Sequence, residues 1–311
     1  MSRAFIFPGQ GAQTVGMGKA LAEAYPAAKA VYDEVDAALG EKLSALIWEG
    51  DIAELTLTQN AQPALMATSM AILAALAAEG ITVEKDVDFV AGHSLGEYSA
   101  LCAAGALSLS DTARLLRIRG LAMQEAVPVG VGAMAALLGL DFAAAMEVAA
   151  EAAQGEVCQA ANDNDPAQVV VSGHKGAVER AVEIAKARGA KRALMLPVSA
   201  PFHCALMQPA AHKMAEALSA VVISKPSVPV VVNVRAEAVT EPDRIFDLLV
   251  AQITGSVRWR ESVMWMQTAG VTEFWEIGAG KALSGMVKRI VGGDVVLRAI
   301  LTPEDVVAAR G

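Results

Sequence analysis

The sequence predicts an α/β protein with a parallel sheet core and one inserted subdomain. Two observations support this: strand-like apolar runs alternate with helical ones along most of the chain, and the pattern changes between residues 127 and 197. The length agrees, because 311 residues can bury a large core and accommodate one large domain with a smaller insert. We therefore expect a large subdomain formed by residues 1–126 and 198–311, interrupted by an insert at 127–197.

The elements of the large subdomain follow one another in α/β order. Before the insert, the predicted order is strand 4–7, helices 28–38 and 63–79, strand 88–91 and helix 111–126. After the insert, it is helix 204–220, strand 229–233, helix 244–252, strand 273–277 and helix 282–291.

The insert has an element order of its own. Its predicted elements are strand 133–140, helix 142–153, strands 157–161 and 168–172, helix 174–188 and strand 190–196. The second helix places Val178, Ala181, Val182 and Ala185 on one face, as expected of a helix that packs on a sheet. This βαββαβ order predicts a ferredoxin-like subdomain.

Composition argues against several classes of function. The formal net charge of -9, without a long basic run, argues against nucleic-acid binding. The longest apolar stretch, residues 63–78, is shorter than a membrane span, so we expect a buried core helix and no membrane association. Residues 1–8 lack a small-residue cleavage site, so no secretory signal is expected. Three cysteines without CxxC spacing favour a cytoplasmic location.

A serine lies at a predicted sharp turn between a strand and a helix. Residues 92–98 read Gly-His-Ser-Leu-Gly-Glu-Tyr, between the apolar strand 88–91 and a helix-forming segment. Glycine on both sides lets the backbone bend, so the hydroxyl of Ser94 would be exposed at the corner. The N–H of Leu95, at the start of the helix, could stabilise an oxyanion there. This nucleophile elbow predicts that the large subdomain is hydrolase-like.

A base for Ser94 is expected among the four histidines. His93 adjoins the serine and points the wrong way, His174 is predicted to begin a helix of the insert, and His212 lies on an exposed helix. His203 lies in a proline-stiffened loop where the chain returns from the insert, so it is the candidate base. No aspartate occurs in the chain order typical of hydrolases, and a backbone carbonyl could orient the histidine instead.

Two further segments could contribute to the same site as Ser94 and His203. Residues 7–11, Phe-Pro-Gly-Gln-Gly, follow the first strand but lack the third glycine of a dinucleotide loop, so a second oxyanion N–H is the better use. Arg119 lies on helix 111–126, which follows the elbow helix. Its guanidinium could hold a substrate carboxylate through two parallel hydrogen bonds, the alternative being a surface arginine.

These motifs together resemble the malonyl-CoA:acyl carrier protein transacylases, the acyltransferase family of fatty acid and polyketide synthesis. The resemblance covers essentially the whole chain, and the motifs occur in the order of the family. They are residues 7–11, 62–65 (Gln-Pro-Ala-Leu), 92–98, 123–128 (Met-Gln-Glu-Ala-Val-Pro), 132–134 (Gly-Ala-Met) and 203–207 (His-Cys-Ala-Leu-Met).

The resemblance implies ping-pong transfer of a malonyl group from malonyl-CoA, a coenzyme A thioester, to the phosphopantetheine thiol of holo acyl carrier protein, without a metal or redox cofactor. It implies a role for each matched residue: Ser94 as the nucleophile, His203 as the base, Arg119 as the carboxylate clamp, the backbone N–H groups of Gln10 and Leu95 as the oxyanion hole, the main-chain carbonyl of Gln252 as the group that orients the histidine, and Gln62 and Phe202 as lining of the acyl pocket.

Three alternatives remain open at this level. The first is a serine hydrolase or thioesterase of α/β-hydrolase type, and the second is a non-catalytic carrier-binding module. The third is the same transferase with another extender unit such as methylmalonyl. Phe202, just before the histidine, matches the residue of malonyl-selective members of the family, whereas some members have serine at that position. An acidic carrier would dock on a local basic patch, for which the candidate cations are Lys186, Arg188, Lys191, Arg192, Lys288 and Arg289.

Overall fold

Ten strands form two separate sheets in the computed structural model, which describes residues 2–293 and 295–310. The strands are β1 (Ser2–Phe7), β2 (Phe89–Gly92), β3 (Gly132–Leu138), β4 (Cys158–Asp165), β5 (Gln168–His174), β6 (Arg192–Met195), β7 (Val230–Val232), β8 (Glu237–Val239), β9 (Val271–Ile277) and β10 (Val296–Ile300).

Fifteen α-helices and one 3₁₀ turn, Ala205–Met207, complete the described part of the chain. The helices are α1 (Lys19–Ala24), α2 (Pro26–Leu39), α3 (Leu43–Glu49), α4 (Ile52–Thr56), α5 (Thr58–Ala78), α6 (Val83–Asp86), α7 (Leu95–Ala103), α8 (Leu109–Glu125), α9 (Phe142–Ala153), α10 (Lys175–Ala187), α11 (Gln208–Ser219), α12 (Pro242–Thr254), α13 (Trp259–Thr268), α14 (Ala282–Val291) and α15 (Pro303–Ala308).

The larger sheet has the strand order β10-β9-β1-β2-β7-β8, and only the last pair, β7 with β8, is antiparallel. Its central strand β1 is apolar and buried on both faces: Phe5 and Phe7 belong to one apolar cluster, whereas Ala4 and Ile6 belong to another. Such continuous apolar runs are typical of parallel strands covered by helices on both sides. The predicted α/β class with a parallel sheet core is confirmed.

The smaller sheet has the order β4-β5-β3-β6 and is antiparallel throughout. Helices α9 and α10 pack against it, and its apolar cluster includes Leu137, Val148, Val171 and Val178. All the buried members of that cluster lie between residues 133 and 193. This segment therefore has an apolar core of its own.

Strand β4 joins the smaller sheet to the rest of the protein. Asn162 forms a parallel bridge with Val257. The buried carboxylate of Asp163 lies 2.9 Å from a guanidinium nitrogen of Arg260 on α13, and Asp165 makes a similar ion pair with Arg289 on α14. The two sheets are thus connected along a strand as well as by the chain crossings.

The helix expected at 63–79 begins earlier, at Thr58, and is longer than expected. The N–H groups of Asn60 and Ala61 bond to the carbonyl of Leu57, so a turn forms before Pro63. The resulting 21-residue helix α5 is long and apolar enough to cross a membrane, contrary to our expectation that this stretch is too short. It is nevertheless a core helix, because 78% of its most apolar window is buried inside the protein.

The strands predicted at 157–161 and 168–172 are shorter than β4 and β5, and several elements were not predicted. The polar residues Asn162, Asp163, Asn164 and Asp165 resemble a loop in sequence, yet they continue β4 because their side chains are buried against neighbouring parts of the protein. The predicted helix 204–220 is a 3₁₀ turn followed by α11. The elements that the pattern missed are α1, α3, α4, α6, α13, α15, β8 and β10.

We expect Arg260→Met to lower the free energy of unfolding by about 3 kcal/mol at neutral pH, because it leaves the fully buried Asp163 without its partner. Urea unfolding followed by circular dichroism measures this. The control Lys186→Met breaks an exposed pair with Glu183 and should cost less than about 1 kcal/mol. An Arg260→Met protein as stable as the control would contradict the expectation.

Candidate active site

Ser94 lies at a sharp turn between β2 and α7 with strained backbone angles, φ 53° and ψ -108°. Two glycines allow the turn. A Cβ on Gly92 would lie 1.9 Å from the carbonyl oxygen of Gly96, and one on Gly96 would lie 2.3 Å from the carbonyl oxygen of Phe7. Strain of this kind persists only where the surroundings hold it, and it concentrates at functional sites.

His203 is hydrogen-bonded on both ring nitrogens. Its Nε2 lies 2.8 Å from Ser94 Oγ, and its Nδ1 lies 2.9 Å from the main-chain carbonyl oxygen of Gln252. A carbonyl can only accept, so Nδ1 carries the proton and Nε2 is left to accept from the serine hydroxyl. Burial, followed by the charge of Arg119, lowers the pKa of His203 to about 3. The ring is therefore neutral and has the tautomer that a base for Ser94 requires.

Arg119 is a buried cation whose hydrogen-bond partners are all neutral side chains, although the charge of the buried Glu97 also acts on it without forming an ion pair. Its Nη1 donates to Gln62 Oε1 (2.8 Å), and its Nη2 donates to Ser94 Oγ and to Gln252 Oε1 (3.0 Å each). Its Nε has no partner, and it forms no ion pair with any carboxylate of residues 2–293 and 295–310. Burying a charge that no carboxylate contacts is costly, so the guanidinium indicates an anionic ligand beside Ser94.

A buried polar network beneath the serine was not found from sequence. Asn233 Oδ1 accepts from the Ser94 backbone N–H (2.8 Å), while its Nδ2 donates to the Gly92 carbonyl (2.7 Å). The backbone N–H of Asn233 donates to Glu97 Oε2 (2.7 Å). Burial raises the pKa of Glu97 to about 7. The available signal was the position of Asn233 as the last residue of the predicted strand 229–233, because the carboxyl ends of parallel strands meet at one edge.

A cavity of about 370 Å³ opens above Ser94, between the two sheets. Seven of the predicted site residues line this cavity. They are Gln10, Gln62, Ser94, Leu95, Arg119, Phe202 and His203. Gln252 lies behind the histidine and is fully buried. Met134, Asn162, Val170 and Leu196 come from the 127–197 segment, so both parts of the chain line the cavity.

The other histidines lie where the sequence indicated. His93 bonds to Asn164 (2.8 Å), away from the serine hydroxyl. His174 is the N-cap residue of α10, and His212 is exposed on α11. Among the described residues, no group of three or more His, Cys, Asp or Glu side chains is arranged to hold a metal ion.

Several of the candidate docking cations are engaged with carboxylates of the protein itself. Lys186 pairs with Glu183, Arg188 pairs with Glu147 and Glu151, and Arg289 pairs with Asp165. The remaining candidates, which form no ion pair within the part of the chain that the structure describes, are Lys191, Arg192 and Lys288.

A serine hydroxyl hydrogen-bonded to a neutral histidine is an arrangement that proteins with covalent acyl transfer use. The family described as "Acyl transferase domain" matches residues 4–288, and the chain belongs to this family of acyltransferases. Within it, the chain is 53% identical to the malonyl CoA-acyl carrier protein transacylase of Bacillus subtilis, over 92% of this chain and 90% of the relative. It is 50% identical to the protein of the same description in Escherichia coli K12, over 93% and 92%.

Solved structures agree with these relatives. An acyl-carrier-protein-S-malonyltransferase from Bartonella henselae superimposes with a TM-score of 0.97 at 56% identity, covering 99% of this chain and 98% of that one. A malonyl-transacylase solved in complex with a type II polyketide synthase acyl carrier protein gives a TM-score of 0.95 at 43% identity, covering 99% of each chain.

We expect the ring of His203 to remain neutral, with the proton on Nδ1, at pH 5 in the folded protein. As the pH falls below 6.5, the unfolded chain takes up a proton that the folded ring does not bind, so His203 lowers the stability of the folded state at acid pH. Nitrogen-15 NMR of labelled histidine measures the protonation state, and His203→Gln assigns the signal. A titration midpoint near 6.5 for this ring would contradict the expectation.

Proposed function

We propose that the protein transfers the malonyl group of malonyl-CoA to the phosphopantetheine thiol of holo acyl carrier protein through a malonyl ester of Ser94. The observation that carries the proposal is the contact between Arg119 and Ser94 Oγ, at 3.0 Å: a buried cation without a carboxylate partner lies beside the candidate nucleophile. In a malonyl thioester, one methylene separates the carboxylate from the reacting carbonyl, so both groups fit this spacing.

In the first half-reaction, Ser94 Oγ gives its proton to His203 Nε2 and attacks the thioester carbonyl carbon. The carbonyl oxygen becomes an oxyanion, which the backbone N–H groups of Leu95 and Gln10 would stabilise. Leu95 is the first residue of α7, so its N–H has no partner within the helix. When the carbon–sulfur bond breaks, the coenzyme A thiolate takes the proton from Nε2, and malonyl-Ser94 remains.

In the second half-reaction, the carrier thiol gives its proton to His203 and its sulfur attacks the ester. The carbon–oxygen bond of the ester breaks, Ser94 Oγ regains a proton from Nε2, and malonyl carrier protein leaves. The two halves make a ping-pong cycle that uses only side chains and backbone groups, with no metal or redox cofactor. Losing one oxyanion donor typically costs about 3 kcal/mol of transition-state stabilisation.

Selection for malonyl would come from Arg119. An acetyl group has a methyl hydrogen where malonyl has a carboxylate, so it would leave the buried guanidinium without an ionic partner. Gln62 and Phe202, which line the cavity beside it, would limit the size of the acyl group. The hydrolase alternative has less support, because the partner of His203 Nδ1 is a carbonyl and not the acid typical of that class.

We also propose the division of the chain that the sequence indicates. Residues 1–126 and 198–311 would form a hydrolase-like large subdomain, and residues 127–197 a ferredoxin-like insert. The separate apolar cluster at 133–193 and the order of the smaller sheet support this division. A cytoplasmic location is supported by the three free cysteines, Cys102, Cys158 and Cys204.

A malonyl adduct on Ser94 is the first expected result. Intact mass spectrometry after incubation with malonyl-CoA should show one added malonyl group, which disappears when holo acyl carrier protein is added. Ser94→Ala should show none, because the ester oxygen is missing. Methylmalonyl-CoA in parallel tests the other extender. Rapid hydrolysis without carrier loading would favour the hydrolase, and carrier binding without an adduct would favour a binding module.

Arg119→Ala should lower kcat/KM for malonyl-CoA roughly 100-fold while sparing acetyl-CoA, because only the malonyl group loses an ionic partner. The matched control is Arg117→Ala on the same helix, where the side chain bonds to Asn60 and Glu41. We expect the control to keep the wild-type preference. An Arg119→Ala protein that still prefers malonyl-CoA to the wild-type extent would remove Arg119 from the mechanism.

A further inference from the structure

We propose that the side-chain amide of Gln252 is a positioning residue that couples Arg119 to the turn bearing Ser94. This role is separate from that of its main-chain carbonyl, and it rests on the proposed function. The amide would keep the guanidinium and the nucleophile in fixed relative positions, so that an acyl group whose carboxylate is bound has its thioester carbon aligned with Ser94 Oγ.

The amide of Gln252 has hydrogen-bond partners on both sides. Its Oε1 accepts from Arg119 Nη2 at 3.0 Å. Its Nε2 lies 3.0 Å from the Ser94 carbonyl oxygen and 3.1 Å from both Glu97 Oε2 and Asn233 Oδ1. One planar group therefore contacts the candidate carboxylate-binding residue on one side and the elbow with its supporting network on the other.

These partners allow only one orientation of the amide. Arg119 can only donate, so it requires the oxygen. The Ser94 carbonyl can only accept, and Asn233 Oδ1 already accepts from the Ser94 backbone N–H, so both require the nitrogen. A flipped amide would lose its bonds on both sides. The side chain is fully buried, so no solvent competes for these bonds.

The backbone of Gln252 makes its contribution independently of the side chain. Gln252 lies in the last turn of α12, which ends at Thr254. Its carbonyl therefore has no N–H partner within the helix and can accept from His203 Nδ1. A substitution at this position changes the amide and leaves that carbonyl in the chain. The two contributions can therefore be separated by experiment.

Arg119 has few other restraints at the nitrogen nearest the serine. Gln62 accepts from Nη1, whereas Nη2 donates only to Ser94 Oγ and Gln252 Oε1 among the described residues, and the guanidinium carbon lies 5.5 Å from the centroid of the Tyr98 ring. Without the amide, the guanidinium keeps its charge but can rotate about its bond to Gln62. A carboxylate bound to it would then move, and the thioester carbon would no longer be aligned with Ser94 Oγ. A displacement of about 1 Å at a reacting centre can cost about 100-fold in rate.

The test is Gln252→Met in the full chain, because methionine has a similar length without either hydrogen-bonding group. We expect acylation by malonyl-CoA to fall about 10- to 100-fold and the ratio of malonyl-CoA to acetyl-CoA kcat/KM to fall at least about fivefold. Labelling of Ser94 by an uncharged fluorophosphonate should also slow, because the Ser94 carbonyl loses its hydrogen bond from Gln252 Nε2. The matched control is Gln267→Met, at an exposed glutamine on α13, which should match wild type.

The preference ratio is the readout that a purely structural role would not change, because loss of folded protein reduces both substrates equally. A folded Gln252→Met protein with the wild-type ratio would overturn the proposal. Should that variant not fold, Gln252→Asn serves: it keeps a polar amide that is one methylene too short to reach both Arg119 and the Ser94 carbonyl, so the ratio should fall, and an unchanged ratio would again overturn the proposal. If wild type forms no malonyl adduct, the proposed function fails as well, which distinguishes the two failures.

Discussion

The hydrogen bond from His203 Nδ1 to the main-chain carbonyl of Gln252 is the interaction on which the rest of the site depends. It sets the tautomer of a neutral imidazole, and so leaves Nε2 free to accept from Ser94. A carbonyl also carries no formal charge. An aspartate in its place would put a full negative charge near Arg119, which would then have less need of a substrate carboxylate. The neutral acceptor and the unpaired guanidinium are therefore two parts of one arrangement for an acyl group with a negative charge.

The walls of the cleft are held by polar contacts of a kind that is costly to break. Strand β4 contributes Asn162 to the cavity, while its neighbour Asp163 pairs with Arg260 and Asn164 bonds to His93, the residue before the serine. Buried charges and amides of this type specify one geometry, because each alternative leaves a polar group unsatisfied. The same strand thus forms one wall of the site and attaches the smaller sheet to the larger one.

Much of the site could be predicted from the sequence because its chemistry is encoded locally. Glycines beside Ser94 indicate a sharp turn, and His203 lies in a proline-stiffened loop between two segments of different pattern. Asn233 and the side chain of Gln252 could not be found in this way, because their importance comes from contacts with residues about 140 to 160 positions away. The length of β4 was missed for a related reason: its polar residues look like a loop until their distant partners are known.

Selection and alignment of the acyl group both require the buried guanidinium to bind the carboxylate of the acyl group carried by Ser94. A crystal structure of the malonyl-Ser94 protein would show whether it does. We expect both carboxylate oxygens to lie about 2.7–2.9 Å from nitrogens of Arg119, in the two-bond geometry of an arginine–carboxylate pair. A malonyl carboxylate that points to solvent, with Arg119 still bonded only to Gln62, Gln252 and the site of esterification, would contradict it.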